Sequence, residues 1–263
     1  KLALQWATQP PNTKPVQRGS RLSVVRRFAE YVSTVDPRTE VPPPKLLPYS
    51  IRRRPPHLYR NDELRRLVDA AYQIDPSNPI KGPTLGTLLG LLAATGMRVS
   101  EALALDGGDV DLERELLTIR LAKGNKTRLV PLHDSTVAAL RRYASVRDSV
   151  YPQRANPGFF VWEGGVRLGY DSVNRWFLLV ACQIGLRKPG DQRGPRVHDL
   201  RHHFAIQMML QWYRTNTDVE VHLPELSTYL GHVHVRDTYW YLSAVPELLQ
   251  LATLRLQPKE AGR

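Results

Sequence analysis

Apolar residues recur with helical spacing along most of the chain. Leu22, Val25, Ala29 and Val32 fall on one face of a helix predicted over residues 20–32, with Ser20 as its cap. Prolines then interrupt the pattern: Pro37, Pro42, Pro43, Pro44, Pro48, Pro55 and Pro56 rule out a helix or a central strand over 37–56. Helical spacing resumes with Leu64, Leu67, Val68 and Ala71, where Asn61 is the expected cap and Asp62 and Glu63 suit the first turn. Further helices are predicted over 84–94, ended by Thr95-Gly96, over 98–105, from Asp134 to about 146, and over 171–184. Residues 198–213 carry Leu200, Phe204, Met208 and Trp212 at intervals of four. A short helix is expected over 224–230, stopped by Gly231, and an amphipathic tail after Pro246 carries Leu248, Leu249, Ala252 and Leu256.

One stretch changes period. Residues 116–121 are β-branched and alternating, Gly124-Asn125 is a two-residue turn signal, and 127–132 returns, so a β-hairpin is predicted. A short strand is expected near 159–161. The fold class is therefore mainly α with a small antiparallel β-sheet (α+β). Three parts are expected: a helical remnant over 1–36, a proline-rich basic linker over 37–56, and a large domain with a C-terminal tail over 57–263.

Composition narrows the partners. The chain has 263 residues, 37 Lys+Arg against 25 Asp+Glu, and a formal charge of +12. Such a surface attracts polyanions, nucleic acid first and an anionic membrane surface second. No apolar run approaches the ~18 residues of a membrane helix. The single cysteine, Cys182, excludes an intrachain disulfide and reads as a packed thiol, which fits a reducing, cytoplasmic setting. The chain opens at Lys1 in mid-pattern, so an earlier N-terminal segment is expected.

Candidate chemistry lies in four places. His198 and Arg201 are three apart on one helix and share a face. Arg98 opens a helix, where backbone N–H groups favour an anion, and Glu101 one turn on can orient it. The hairpin tip carries Lys123 and Lys126, with Arg128 just beyond, and Arg52, Arg53 and Arg54 form a basic run in the linker; both suit a phosphate backbone. His232 follows Leu230-Gly231 and precedes an aromatic run, Tyr239-Trp240-Tyr241. A tyrosine hydroxyl, with a pKa of about 10, attacks phosphorus only where developing negative charge is stabilised. Each feature taken alone also has a plain structural explanation.

Taken together and in this order, they resemble the tyrosine recombinase (phage-integrase-like) family. The resemblance rests on Thr-Gly-Met-Arg-Val-Ser-Glu at Arg98, Lys-Gly-Asn-Lys-Thr-Arg-Leu-Val-Pro-Leu at Lys123, His-Asp-Leu-Arg-His at His198 and Arg201, and Leu-Gly-His at His232. It covers roughly residues 57–250. The family's nucleophile usually lies nine residues after the Leu-Gly-His histidine, which selects Tyr241 over Tyr239. The resemblance implies that residues 1–36 end a helical core-binding (SAM-like) domain. It also implies that the enzyme is a site-specific recombinase working through a 3′-phosphotyrosine, with no metal, ATP or other cofactor. Arg98 and Arg201 would clamp the scissile phosphate, His198 would help accept the tyrosine proton, His232 would hydrogen-bond the phosphate, and Lys123 would protonate the departing 5′-oxygen. The implied partners are double-stranded DNA with inverted-repeat core sites, three further copies in a tetramer held on two sites through the C-terminal tail, and a directionality factor in some members. His203 departs from the pattern, since Ser or Thr often follows the Arg-His pair.

Rival readings are a metal-dependent nuclease, a type IB topoisomerase and a non-catalytic DNA-binding protein on the same fold. The first would draw on His198, His202, His203, His232 and His234. His198 and His202 have i, i+4 spacing, but no His-Glu-x-x-His motif is present, and arginines beside the site would repel a cation.

Overall fold

The computed structural model describes residues 1–47, 55–122, 126–191 and 193–256. The chain divides into two compact units, Lys1–Arg54 and Pro55–Arg263, so the boundary falls inside the proline-rich stretch.

The first unit holds α1 (Leu2–Thr8) and α2 (Pro15–Ser33). Helix α2 starts at Pro15 rather than Ser20. Proline suits the first helical position because its fixed φ is helical and its missing N–H is not needed there. Leu22 and Ala29 are buried as the spacing predicts. Arg26 donates to the carbonyls of Pro42 (2.9 Å) and Pro43 (2.8 Å), so the first prolines of the expected linker pack on α2.

The second unit contains α3 (Asn61–Tyr72), α4 (Lys81–Thr95), α5 (Val99–Ala104), β1 (Val110–Asp111), β2 (Leu116–Ala122), β3 (Lys126–Pro131) and α6 (Asp134–Val150). It continues with α7 (Tyr170–Gln183), α8 (Asp199–Arg214), α9 (Val219–Leu230), α10 (Arg236–Ala244) and α11 (Pro246–Leu256). The predicted hairpin is β2–β3, and β1 adds an edge to make an antiparallel sheet in the order β1-β2-β3. Leu117 pairs with Val130 and Ile119 with Arg128, and the face carrying Leu117, Ile119 and Val130 is buried. Residues 159–161 are buried and form no full strand, only an isolated antiparallel bridge between Val161 and Arg167; the Tyr143 hydroxyl accepts the Val161 N–H (2.9 Å).

Two hydrophobic clusters meet at α8. One surrounds α4 with Leu85, Leu88, Leu89 and Leu92, and reaches Leu200 in the first turn of α8. The other joins Ala205, Ile206, Met209 and Leu210 of α8 to Leu226 and Leu230 of α9, Tyr241 of α10, Val245, and Leu248 of α11. Because α8 packs on more than one side, its buried face departs from the predicted stripe: Phe204, Met208 and Trp212 are only partly buried. The start of the tail packs on its own domain. Leu248 is wholly buried, and Arg214 bonds Glu247 at 2.7 Å. The segment expected to reach a neighbouring subunit is thus folded back in cis up to α11. Among the described residues, no helix is long and apolar enough to cross a membrane.

Candidate active site

The site is built around the C-terminal end of α9. A helix ends with carbonyls that lack intrahelical partners and carries partial negative charge there. Three arginines from three separate segments take these carbonyls. Arg128 Nε donates to Tyr229 (2.9 Å), Arg201 Nη2 to Leu230 (2.7 Å) and Arg98 Nη2 to Gly231 (2.9 Å). Arg201 Nη1 also donates to Gly96 (2.9 Å), the residue that ends α4.

Glu101 fixes two of these guanidinium groups. Its carboxylate accepts from Arg98 Nη1 (2.7 Å) and from the Arg98 backbone N–H (2.9 Å). It also accepts both terminal nitrogens of Arg128, at 3.0 and 2.7 Å. Burial pushes the Glu101 carboxyl up, but the Arg128 and Arg98 hydrogen bonds outweigh it and hold the group at about 2. Three arginines against one carboxylate leave two positive charges, which suits a phosphate gaining negative charge during displacement. Burial, then the charge of Arg98, lowers Arg201 to about 10, so it stays charged at neutral pH.

Helix α8 supplies the next members. Asp199 is buried and accepts from Arg196 through its backbone N–H (2.9 Å) and Nη2 (2.7 Å), which anchors the helix start. His198 precedes that start and is exposed, while Arg201 and His202 follow one turn on. The rings of His198 and His202 meet edge-on with centroids 4.6 Å apart. Although part of the residue is exposed, desolvation of its ring by the surrounding protein, followed by the charge of Arg201, lowers His198. Burial and His198 lower His202 to about 4.

Glycine 231 turns the chain out of α9 with φ +66°, and His232 follows it. His232 Nδ1 lies 2.7 Å from the Thr238 hydroxyl, and its ring is nearly parallel to that of Tyr241 at 6.3 Å. Burial, then Arg201 and Arg98, lowers His232 to about 4. Tyr241 points inward from α10, only 2% exposed, with its hydroxyl 3.0 Å from His202 Nδ1. Tyr239 is 47% exposed.

The fold therefore brings Arg98, Glu101, Arg201, His232 and Tyr241 together, with His198 at the rim. Arg128 sits elsewhere than expected: only 12% of its side chain is exposed, and it is bonded to Glu101 and α9 rather than open to a DNA backbone. Lys123 and Arg52, Arg53 and Arg54 lie outside the described residues, as does the side chain of Lys126. Residues not singled out in the sequence are Thr238, which orients His232, and Asp199 with Arg196, which anchor α8. The role of His202 at the tyrosine hydroxyl was also not foreseen, although it stands beside Arg201 in the same motif. Among the described residues, no group of three His, Cys, Asp or Glu side chains is placed to hold a metal ion.

A mainly helical domain with one small antiparallel sheet, gathering arginines, histidines and a tyrosine from five segments, is a tyrosine recombinase catalytic domain. The chain belongs to the phage integrase family, which residues 58–247 match, and it is a site-specific tyrosine recombinase. It is 43% identical over 266 residues to a Sinorhizobium fredii protein named as an integrase/recombinase, y4rB, covering 100% of this chain and 85% of that one. It is 29% identical to the tyrosine recombinase XerD of Caulobacter vibrioides, covering 89% of this chain and 73% of that one. In fold it is similar to the XerH site-specific recombinase bound to a palindromic difH substrate, with TM-score 0.69 and 20% identity over 96% of this chain and 70% of that one.

Proposed function

We propose that this recombinase cleaves and rejoins DNA strands through a covalent 3′-phosphotyrosine on Tyr241, without metal or ATP. One observation carries the reading. Arg98, Arg201 and the pair His232 and Tyr241 come from three separate stretches of the sequence and converge on the end of α9. A structural explanation would not require all four in one place.

In this reading Arg98 and Arg201 grip the non-bridging oxygens of the scissile phosphate, since guanidinium forks match phosphate and hold their charge. Thr238 donates its hydroxyl proton to His232 Nδ1, which leaves Nε2–H to bond the phosphate. His198 contacts the phosphate from the rim. Lys123, between β2 and β3 in the sequence, protonates the 5′-oxygen as it leaves. The phosphotyrosine bond conserves the energy of the phosphodiester, so a free 5′-hydroxyl reverses the step. Tyr241 is covered in the isolated chain, so DNA has to reach its hydroxyl where it lies against His202.

The substrate is double-stranded DNA with inverted-repeat core sites, worked on by a tetramer spanning two sites in the bacterial cytoplasm. The basic balance of the chain and the DNA-bound XerH complex support the DNA partner, and a relative in fold, lambda integrase, forms a tetramer on a Holliday junction. For the tail to join subunits, α11 must leave its cis position or the residues after it must make the contact.

The test is a nicked suicide duplex carrying the recombinase's own core site, incubated in EDTA with wild type and Tyr241→Phe. The expected result is a covalent protein–DNA band from wild type alone. An adduct from Tyr241→Phe would move the nucleophile elsewhere. Binding without an adduct from either protein would reduce the chain to a DNA-binding module.

A further inference from the structure

Accepting Tyr241 as the nucleophile, we propose that His202 is the general base that takes its phenolic proton during strand cleavage. The resemblance to the family assigned that task to His198. The geometry points to its neighbour one turn on: His202 Nδ1 is 3.0 Å from the Tyr241 hydroxyl, whereas His198 is exposed and packs edge-on with the His202 ring.

The pocket around His202 suits the role. From its own helix it faces His198, with Arg201 and Asp199 beside it and Arg196 just before the helix start. From α10 it meets the rings of Trp240 and Tyr241, at 5.5 and 5.4 Å. His232 lies on the Tyr241 ring as well. The surroundings favour the neutral imidazole, so at pH 7 His202 can accept. With its proton on Nε2, Nδ1 presents a lone pair to the hydroxyl.

The step balances. The Tyr241 oxygen forms its bond to phosphorus as the bond from phosphorus to the 5′-oxygen breaks. The phenolic proton passes to Nδ1 of His202, and the 5′-oxygen takes its proton from a separate acid. On rejoining, the 5′-hydroxyl attacks, and imidazolium returns the proton to the departing tyrosinate. No oxidant, metal or co-reactant is needed.

The experiment measures single-turnover adduct formation with excess protein on the nicked core-site duplex, from pH 5 to 9.5. The proteins are wild type, His202→Ala, His202→Gln, His198→Ala and Tyr241→Phe, each first checked for thermal unfolding and DNA binding. Wild type should be nearly independent of pH above about 5. His202→Ala should lose on the order of 10²–10³ in rate at pH 7. Its rate should then climb about tenfold per pH unit, toward the ordinary tyrosine pKa of about 10. Added imidazole should restore part of the rate in proportion to its concentration. His202→Gln fills the space without accepting a proton, and should be as slow as His202→Ala.

A wild-type rate and profile in either His202 variant would overturn the proposal. So would a slow His202→Ala that keeps the flat profile and ignores imidazole, since that is the behaviour of a packing residue. A larger loss and an imidazole response in His198→Ala would return the role to His198. Tyr241→Phe separates the two readings. If it still forms the adduct, the nucleophile is misassigned; if it is inert while His202→Ala is normal, only the general-base proposal fails.

Discussion

Glu101 balances two arginines at once. It is buried and bonded to both Arg98 and Arg128. Removing one partner from such a group leaves buried charge without compensation, which costs about 3 kcal/mol or more. Glu101→Ala should therefore lower the unfolding free energy by that amount, read as a lower urea midpoint at an unchanged m-value, and Glu101→Gln, which keeps the shape and some hydrogen bonds, should lose less. An unchanged midpoint in Glu101→Ala would mean that the three arginines do not depend on it. The Arg98–Glu101 link was legible in the sequence, because a carboxylate three residues after a helix start reaches back to it. The third member was legible too, though it was read differently. Arg128 and Val130 are two apart on β3, so they share a face, and Val130 is buried. An arginine on the inward face of a strand requires a buried acid, and Glu101 is that acid.

At the scale of the element, the end of α9 decides where three guanidinium groups stand. Its termination depends on Gly231, which adopts φ +66°, and a Cβ there would lie 2.7 Å from Arg128 Nη1. Gly231→Ala should thus destabilise the domain by about 1–2 kcal/mol from the left-handed backbone alone. It should also slow adduct formation, because Arg128 cannot give way without releasing Glu101. Gly90 is the matched control. It lies inside α4, and a Cβ there meets nothing within 4 Å. Gly90→Ala should raise stability by about 0.5–1 kcal/mol, with adduct formation unchanged. Thermal melts of the two variants in opposite directions would bear this out, and a stabilising Gly231→Ala would contradict it. The glycine stop after α9 was readable from sequence, but the start of the helix was not. Helix α9 begins at Val219, capped by the Asp218 carboxylate (2.9 Å to the Glu220 N–H), and runs through Pro224. Proline was taken as the start, although it sits within the helix. Helix α10 was missed for a different reason: it spans only nine residues, too few for a periodic signal to stand out around its aromatic run.

For the whole molecule, the accumulation of arginine around the site sets how stability depends on pH. Burial and neighbouring positive charge lower His202 and His232 to about 4 and also lower His198. His203 is lowered too: it is buried against Tyr59, and its Nδ1 has no hydrogen-bond partner among the described residues. In the unfolded chain histidine titrates near 6.5. Above that pH both states are neutral and the histidines do not bias folding. As the pH falls from about 6.5 toward 4, the unfolded chain binds protons that the folded chain refuses, so stability is lost across that window. Two groups lowered from about 6.5 to about 4 would contribute at most about 3 kcal/mol each, and their partial exposure reduces this, so a total loss of about 3 kcal/mol is expected. Glu101 adds a second loss below its unfolded value of about 4.5, continuing toward about 2. Urea unfolding at pH 7.0 and 4.5 measures the first window, comparing wild type with a His202→Gln, His232→Gln double variant. The variant should show a shallower decline, because two of the proton-refusing groups are gone. Equal declines would mean that the imidazoles at the site are hydrated and titrate as they do in the unfolded chain. In that case neither ring would be held neutral by the arginines gathered at the end of α9.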